Sequence, residues 1–382
     1  MTTEKASREV AIPFQMELFS STQQLNLSEV YEAIPKEVSA NDPAIVWESE
    51  NVALPVERAF SFNNQTMVAT ISPALLERRV EGGYASKFPH FRESRIEYAI
   101  LTLASKEWLQ VHYDSTPQAK PSYRLVTTIY RIQKEIVDSI NAKEGTDLEA
   151  KNCPYNYTEI REALEVLKQT NYTVKDSETQ KKSYSFNRIK DLYMDENGKL
   201  VIELGTMACE YISNGDWNVT DASSILASKT YYTMKLRTLL NMKFRYASRL
   251  GRPYSPSLTY LIEKIGFHQF ARVTETIRKV TALIESLPEV SSVKVKKITE
   301  GRKVIGANFD IYPSDEFVQS MIQSNRLKKR ADESLYDEEQ ETLLIEPLEA
   351  EFSSKADFQK AMEEYKVAKG KALHKRFINN KS

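Results

Sequence analysis

Glycine is scarce in this chain, with 11 residues in 382. Loops that cradle phosphates need clustered glycines. The nearest approach, Gly301-Arg302-Lys303-Val304-Ile305-Gly306, lacks the Gly-Lys-Ser/Thr ending. Nucleotide hydrolysis through such a loop is not expected. There are two cysteines, Cys153 and Cys209, with no CxxC pair and no Cys/His cluster. That argues against a structural zinc site and fits a reducing cytoplasm. The four histidines, His90, His112, His268 and His374, are scattered. None forms the His-apolar-His pair that a metal-dependent DNA-nicking enzyme would need. No apolar run approaches the roughly 18 residues of a membrane span. The start, Met1-Thr2-Thr3-Glu4-Lys5-Ala6, lacks the apolar core of a signal peptide. These absences predict a cytoplasmic protein with no membrane segment, no metal, no cofactor and no enzymatic activity of its own.

Charge is abundant but unevenly placed. The chain carries 52 Lys/Arg and 53 Asp/Glu, a formal net charge of −1. Residues 221–330 alone hold twenty Lys/Arg and nine Asp/Glu, about +11. A basic region within a neutral chain is the electrostatic footprint of phosphate binding. The periodicity of 228–313 predicts one complete winged helix-turn-helix. Helices are expected over 229–250, 257–265 and 271–287. Strands follow over 292–298 and 303–312. In the third helix Val273, Ile277, Val280, Ile284 and Leu287 form the apolar stripe. Arg272, Thr274, Arg278 and Lys279 fall off it, with Arg272 in the first turn, where such helices meet base edges. Lys294, Lys296, Arg302 and Lys303 place further cations on the hairpin. Val293, Val295 and Ile298 are expected to face the core, although Lys297-Ile298 breaks strict alternation.

The first half repeats this layout. Helices are expected over 94–110 (Ser94 as cap, with Glu97 three residues on), 123–140 and 157–170. Strands are expected over 171–176, 184–193 and 199–204, with Asp195-Glu196-Asn197-Gly198 as a hairpin turn. Arg161 and Lys168 lie on the third helix; Lys175, Lys181, Lys182 and Arg188 are expected along the wing. Either DNA reading or dimerisation is open to this unit. The expected fold class is α+β: tandem winged helix-turn-helix domains with a flexible amino-terminal leader and a charged carboxy-terminal tail. The boundaries are 1–93, 94–213, 214–330 and 331–382. In the tail, 332–351 holds nine acids and no Lys or Arg, which reads as a disordered linker, and a basic stretch follows.

Gln15-Met16-Glu17-Leu18-Phe19 resembles the peptide with which bacterial replication proteins bind the DNA polymerase sliding clamp. Gln15 would bond at the rim of a groove that Leu18 and Phe19 fill. With this leader and the two helical units, the chain resembles the plasmid replication initiators built from two winged helices. That resemblance covers roughly 94–313 and lies in layout, not close identity. It implies binding to repeated sequences at an origin, recruitment of the host replicative helicase and clamp, and an exchange between monomers that bind DNA and homodimers that do not. It also implies that the third helix of each unit enters a major groove of double-stranded DNA. Here that points to His268, Gln269, Arg272 and Thr274, with Arg161 in the first unit. The acidic-then-basic extension after Arg330 and the first ninety residues depart from the family pattern. Two other readings use the same residues. One is a winged-helix transcriptional repressor or partition factor. The other is a tyrosine recombinase using His268, Arg272 and Tyr312 or Tyr336.

Overall fold

The computed structural model describes residues 24–39, 42–62, 65–77, 83–106, 109–112, 122–179, 181–213, 218–248, 252–267 and 269–342. Gln15, Leu18, Phe19 and His268 therefore lie outside the described residues. Two compact units divide at Leu327/Lys328, and of the second only the helical run 328–342 is described.

The described residues of the expected leader form strands and a helix of the first unit. β1 (Gln24–Leu27) and α1 (Glu29–Ala33) come first. Then follow β2 (Val56–Phe62), β3 (Gln65–Ser72), β4 (Ala74–Glu77) and β5 (Tyr84–Lys87). α2 (Phe91–Lys106) starts three residues earlier than expected. Its cap is local: the Glu93 carboxylate accepts the His90 N–H at 3.0 Å. Ser94 is not a cap; it is buried and donates to Glu37 at 2.7 Å.

β6 (Gln110–His112) comes next, and β7 (Ser122–Thr127) replaces the start of the expected second helix. Tyr123, Leu125 and Thr127 are all buried, and Val126 and Thr127 are β-branched, which favours an extended chain. Thr128 then caps α3 (Ile129–Glu144), and Gly145 closes it in the left-handed region. α4 (Tyr157–Gln169) opens on a full capping box, Asn156 with Glu159. β8 (Asn171–Asp176), β9 (Lys182–Phe186), β10 (Ile189–Met194) and β11 (Leu200–Leu204) follow. They split between two sheets. β8 and β9 extend the amino-terminal pair in the order β2-β3-β8-β9, while β10 and β11 join the order β10-β11-β7-β6.

α5 (Thr206–Ser213), β12 (Asn218–Asp221) and α6 (Ala222–Leu226) connect to the second half, with β12 paired to β1. There α7 (Tyr231–Lys243) is capped by Thr230 and ends earlier than expected, in a short 3-10 turn over Arg245–Ser248. α8 (Leu258–Ile265), α9 (Val273–Glu285), β13 (Val290–Glu300) and β14 (Lys303–Pro313) follow. α10 (Asp315–Thr342) carries the chain onward. Its helix takes in 332–342, the start of the acidic block expected to be a linker. The mixture of helices and antiparallel sheets is α+β.

Each half shares one plan: helix, strand, two helices, hairpin. β11 lies between β10 and β7 in the first half. In the second, β14 lies between β13 and the 254–257 segment, through bridges Tyr254 to Ile311 and Ser257 to Asn308. The second-half core gathers Leu236 and Leu240 of α7, Leu261 and Ile265 of α8, Ile277, Val280 and Ile284 of α9, and Phe309 and Ile311 of β14. Glu289, just after α9, ties the halves together. It meets Lys143 of α3 at 3.2 Å and Arg237 of α7 at 3.3 Å.

Candidate nucleic-acid interface

α8 and α9 are held at a fixed angle by their ends. Ser257 accepts the Tyr260 N–H at 3.2 Å and starts α8. Gly266 ends it at φ 64°, which glycine adopts without strain. The Phe267 N–H then returns to the Ile262 carbonyl at 3.1 Å. Across the turn, the Phe270 N–H donates to Oγ1 of buried Thr276 at 3.0 Å, which locks the turn onto α9. Gln269 and Arg272 are exposed on this approach. Arg272 is the cap residue with extended backbone (φ −102°, ψ 117°), one position before the first turn where its sequence had suggested it.

On α9 itself the buried stripe is Thr276, Ile277, Val280 and Ile284. Thr274, Arg278 and Lys279 are exposed. Glu275, half-buried, is the acid among them.

The hairpin register decides which lysines share that side. Val293 faces Ile311, Val295 faces Phe309 and Lys297 faces Ala307. Cross-strand partners point to one face of a sheet, and Phe309 and Ile311 are fully buried, so this is the inner face, packed on the core with α9. Lys294 faces Asp310, Lys296 faces Asn308 and Ile298 faces Gly306 on the opposite, outer face. A bulge between Ile298 and Thr299 then resets the alternation. Two expectations change accordingly. Ile298 does not face the core; it is 42% exposed on the outer face. Lys294 and Lys296 point away from α9, and Lys296 is engaged by Asp310 at 2.7 Å, which also accepts from Ser255 at 2.8 Å. That bonding lowers the Asp310 carboxyl pKa and raises that of the Lys296 ammonium. Lys297 was missed as a site residue. Its signal was the break in alternation, which the sequence shows but cannot assign to a face.

The resulting surface joins Arg272, Arg278 and Lys279 on α9 with Lys297 on the inner hairpin face and Arg302 and Lys303 at the tip. All six are exposed, and none makes an ion pair among the described residues.

The first half carries different chemistry at the matching places. Arg161 and Tyr157 are exposed on α4, but Lys168 pairs with Asp191 at 2.8 Å. Lys175 and Lys182 lie on β8 and β9, in the other sheet. Arg188 is not on a wing at all. It is fully buried, ion-paired with Glu97 and lying 3.4 Å from Glu37. The β10–β11 tip is acidic, with Asp195 accepting the Asn197 and Lys199 N–H groups at 2.9 and 2.7 Å.

A cleft between β2 and the α7–α8 pair holds cavities of about 460 and 380 Å³. Its charged lining is satisfied from within: Lys243 with Glu29 at 2.5 Å, Lys235 with Glu37 at 2.8 Å, Lys264 with Glu263 at 3.0 Å and Arg58 with Asp42. Among the described residues no cluster of metal-ligating side chains occurs, and no helix is long and apolar enough to cross a membrane.

No family model and no curated protein matches the chain. Solved structures similar to it include domains 2 and 3 of RctB, at 13% identity over 72% of this chain and 96% of that one, with a TM-score of 0.36. A second structure of RctB domains 2–3 is 14% identical over 72% and 98%, with a TM-score of 0.36. The Pi initiator protein in complex with iteron DNA is 14% identical over 59% and 91%, with a TM-score of 0.38.

Proposed function

We propose that this chain is a sequence-specific double-stranded DNA-binding protein that initiates replication at repeated origin sites. In this reading its second half is a winged helix-turn-helix. The observation that carries it is the set of six unpaired cations shared by α9, the inner hairpin face and the hairpin tip. Cations with no internal partner, on a helix and a hairpin packed on one core, are free to pair with the phosphates of a duplex. Gln269, Arg272 and Thr274 are assigned to base edges; Arg278, Lys279, Lys297, Arg302 and Lys303 to phosphates. Arg161 is a further candidate contact from the first half.

Direct chemistry on DNA has little support. Burial raises the Cys153 thiol and pushes the Cys209 thiol up to about 11, so neither is a ready nucleophile. Tyr312 lies under Lys294, whose ammonium is 5.2 Å from the ring centre. Recruitment of the clamp through Gln15, Leu18 and Phe19, and of the helicase, belongs to the same proposal.

Footprinting on DNA flanking the protein's own gene, at two salt concentrations, tests it. Several evenly spaced protected sites, weakened by salt, are expected. One palindromic site would instead mark a repressor, and no binding at low salt would remove the DNA reading. Leu18→Ala with Phe19→Ala should abolish clamp pull-down and spare the footprint.

A further inference from the structure

The turn between α8 and α9 holds itself by the main-chain bonds already described, from the Phe267 N–H to Ile262 and from the Phe270 N–H to Thr276. Further support is aromatic and comes from outside the turn. Ring centre to ring centre, Phe270 lies 6.4 Å from Phe267, Phe267 lies 4.9 Å from Tyr232, and Tyr232 lies 5.6 Å from Tyr231. These are the separations of interacting aromatic pairs. Tyr231 also lies against the turn directly. A methyl group on Gly266 would meet its Oη at 3.4 Å and its Cε1 at 3.5 Å.

The row of rings ends in the other half of the molecule. Tyr231, the first residue of α7, stacks on His90 with the rings 4.7 Å apart and 25° from parallel. His90 is fixed by the start of α2. Its N–H donates to the Glu93 carboxylate at 3.0 Å, and its carbonyl accepts the Ser94 N–H at 3.0 Å. Pro89 before it is buried and accepts the Val38 N–H at 2.9 Å. The cavity of about 380 Å³ lies beside the row, with His90, Tyr231, Tyr232, Gly266 and Phe267 in its wall. Rings released from the stack have that space to move into, so the loss of one can be felt along the row.

We propose that His90 and Tyr231 are positioning residues for DNA reading. Through this row of rings the first half sets the pose of the 266–272 turn, and with it the aim of Gln269 and Arg272. The inference rests on the DNA reading proposed above and adds to it a source of specificity in the other half, outside the cationic surface. Both residues act through the turn and not by touching DNA, since contiguous packed side chains carry coupling between separated sites. The phosphate contacts assigned to Arg278, Lys279, Arg302 and Lys303 sit on α9 and the hairpin tip, which are anchored by their own core. They do not need the row. Loss of the stack should therefore cost specificity and leave the charge-driven part of binding in place.

Two measurements on the full chain test this: anisotropy titrations with a footprinted site and with random duplex, and hydrogen exchange of the turn without DNA. His90→Ala should lower affinity for the site about tenfold, the worth of one misplaced base contact. Affinity for random DNA should fall by less than about twofold, at an unchanged salt slope. Exchange of the Phe267 and Phe270 N–H groups should quicken severalfold, while amides of the buried α9 stripe keep the parent's rates. His90→Phe keeps a ring in the stack and should restore both readouts. Tyr231→Leu, which keeps apolar bulk on α7, should repeat the His90→Ala pattern. Equal losses on the two DNAs overturn the proposal. So does turn exchange unchanged by His90→Ala, or a His90→Phe variant as weak as His90→Ala. A parent chain that binds no DNA removes the reading on which the proposal rests, and turn exchange alone then decides whether the first half sets the turn.

Discussion

Lys296 and Lys297 are neighbours that lie on opposite faces of one hairpin, one bonded to Asp310 and the other unpaired. Their roles should separate in one titration. Lys297→Ala should weaken binding to every DNA sequence alike and lower the slope of log affinity against log salt by about one. Lys296→Ala should leave that slope near the parent value, because its charge is already matched. Anisotropy titrations at four or five salt concentrations measure both. A slope lowered by Lys296→Ala and untouched by Lys297→Ala would reverse the assignment of faces. Arg272 is a different case. It caps α9 at the end that would point into a groove, so Arg272→Ala should cost about 1–3 kcal/mol on a specific site and much less on random DNA. Equal losses on both would make it a phosphate contact.

At the scale of elements, the helices with a strong apolar stripe were legible and the strands between them were not. α4, α8 and α9 came out within two residues of their expected bounds because their buried stripes are regular and Asn156, Ser257 and Gly266 punctuate them. β7 was hidden inside an expected helix, since Leu125, Ile129, Ile132 and Ile136 run on at a helical period. The split of β8–β9 from β10–β11 could not be read either, because pairing partners such as β3 lie a hundred residues away. One glycine marks that split. Gly205 follows β11 and donates its N–H to the Arg188 carbonyl at 3.1 Å. A methyl group there would fall 1.9 Å from the Asn187 carbonyl oxygen and 2.8 Å from that of Arg188. These are backbone atoms and cannot swing aside. Gly205→Ala should therefore lower stability by about 2–3 kcal/mol, as forced overpacking does. Urea unfolding would show a lower midpoint at an unchanged slope; an unchanged midpoint would mean that the strand end yields freely.

Across the whole molecule, the first unit is joined by buried charge, and no sequence pattern announces it. Glu37 comes from the segment after α1. It accepts from Ser94 of α2 at 2.7 Å, pairs with Lys235 of α7 at 2.8 Å and lies 3.4 Å from Arg188 beside β10. Glu32 pairs with Lys36 at 2.8 Å close by. In sequence these read as ordinary surface charges, and nothing in their spacing marks them for burial. Burial alone would raise the Glu37 carboxyl, but Lys235, Arg188 and Lys36 outweigh it and hold the group far below the usual carboxylate range. Glu32 is lowered in the same way, against its own burial, chiefly by Lys36 and Lys235. A carboxyl depressed in the folded state contributes stability above its unfolded pKa of about 4.3 and loses it as pH falls toward the folded value. Stability should accordingly be level from pH 7 to about 5 and fall steadily below that. Glu37→Gln should cost about 3 kcal/mol at pH 7, because it leaves Lys235 and Arg188 buried with less counter-charge. The same variant should lose less than the parent between pH 5 and 3, having one fewer depressed carboxyl to protonate. Urea midpoints at four pH values distinguish the two curves. If they run parallel into acid, Glu37 is not a source of the acid sensitivity, and the joint between the halves must rest on apolar packing and on Glu289.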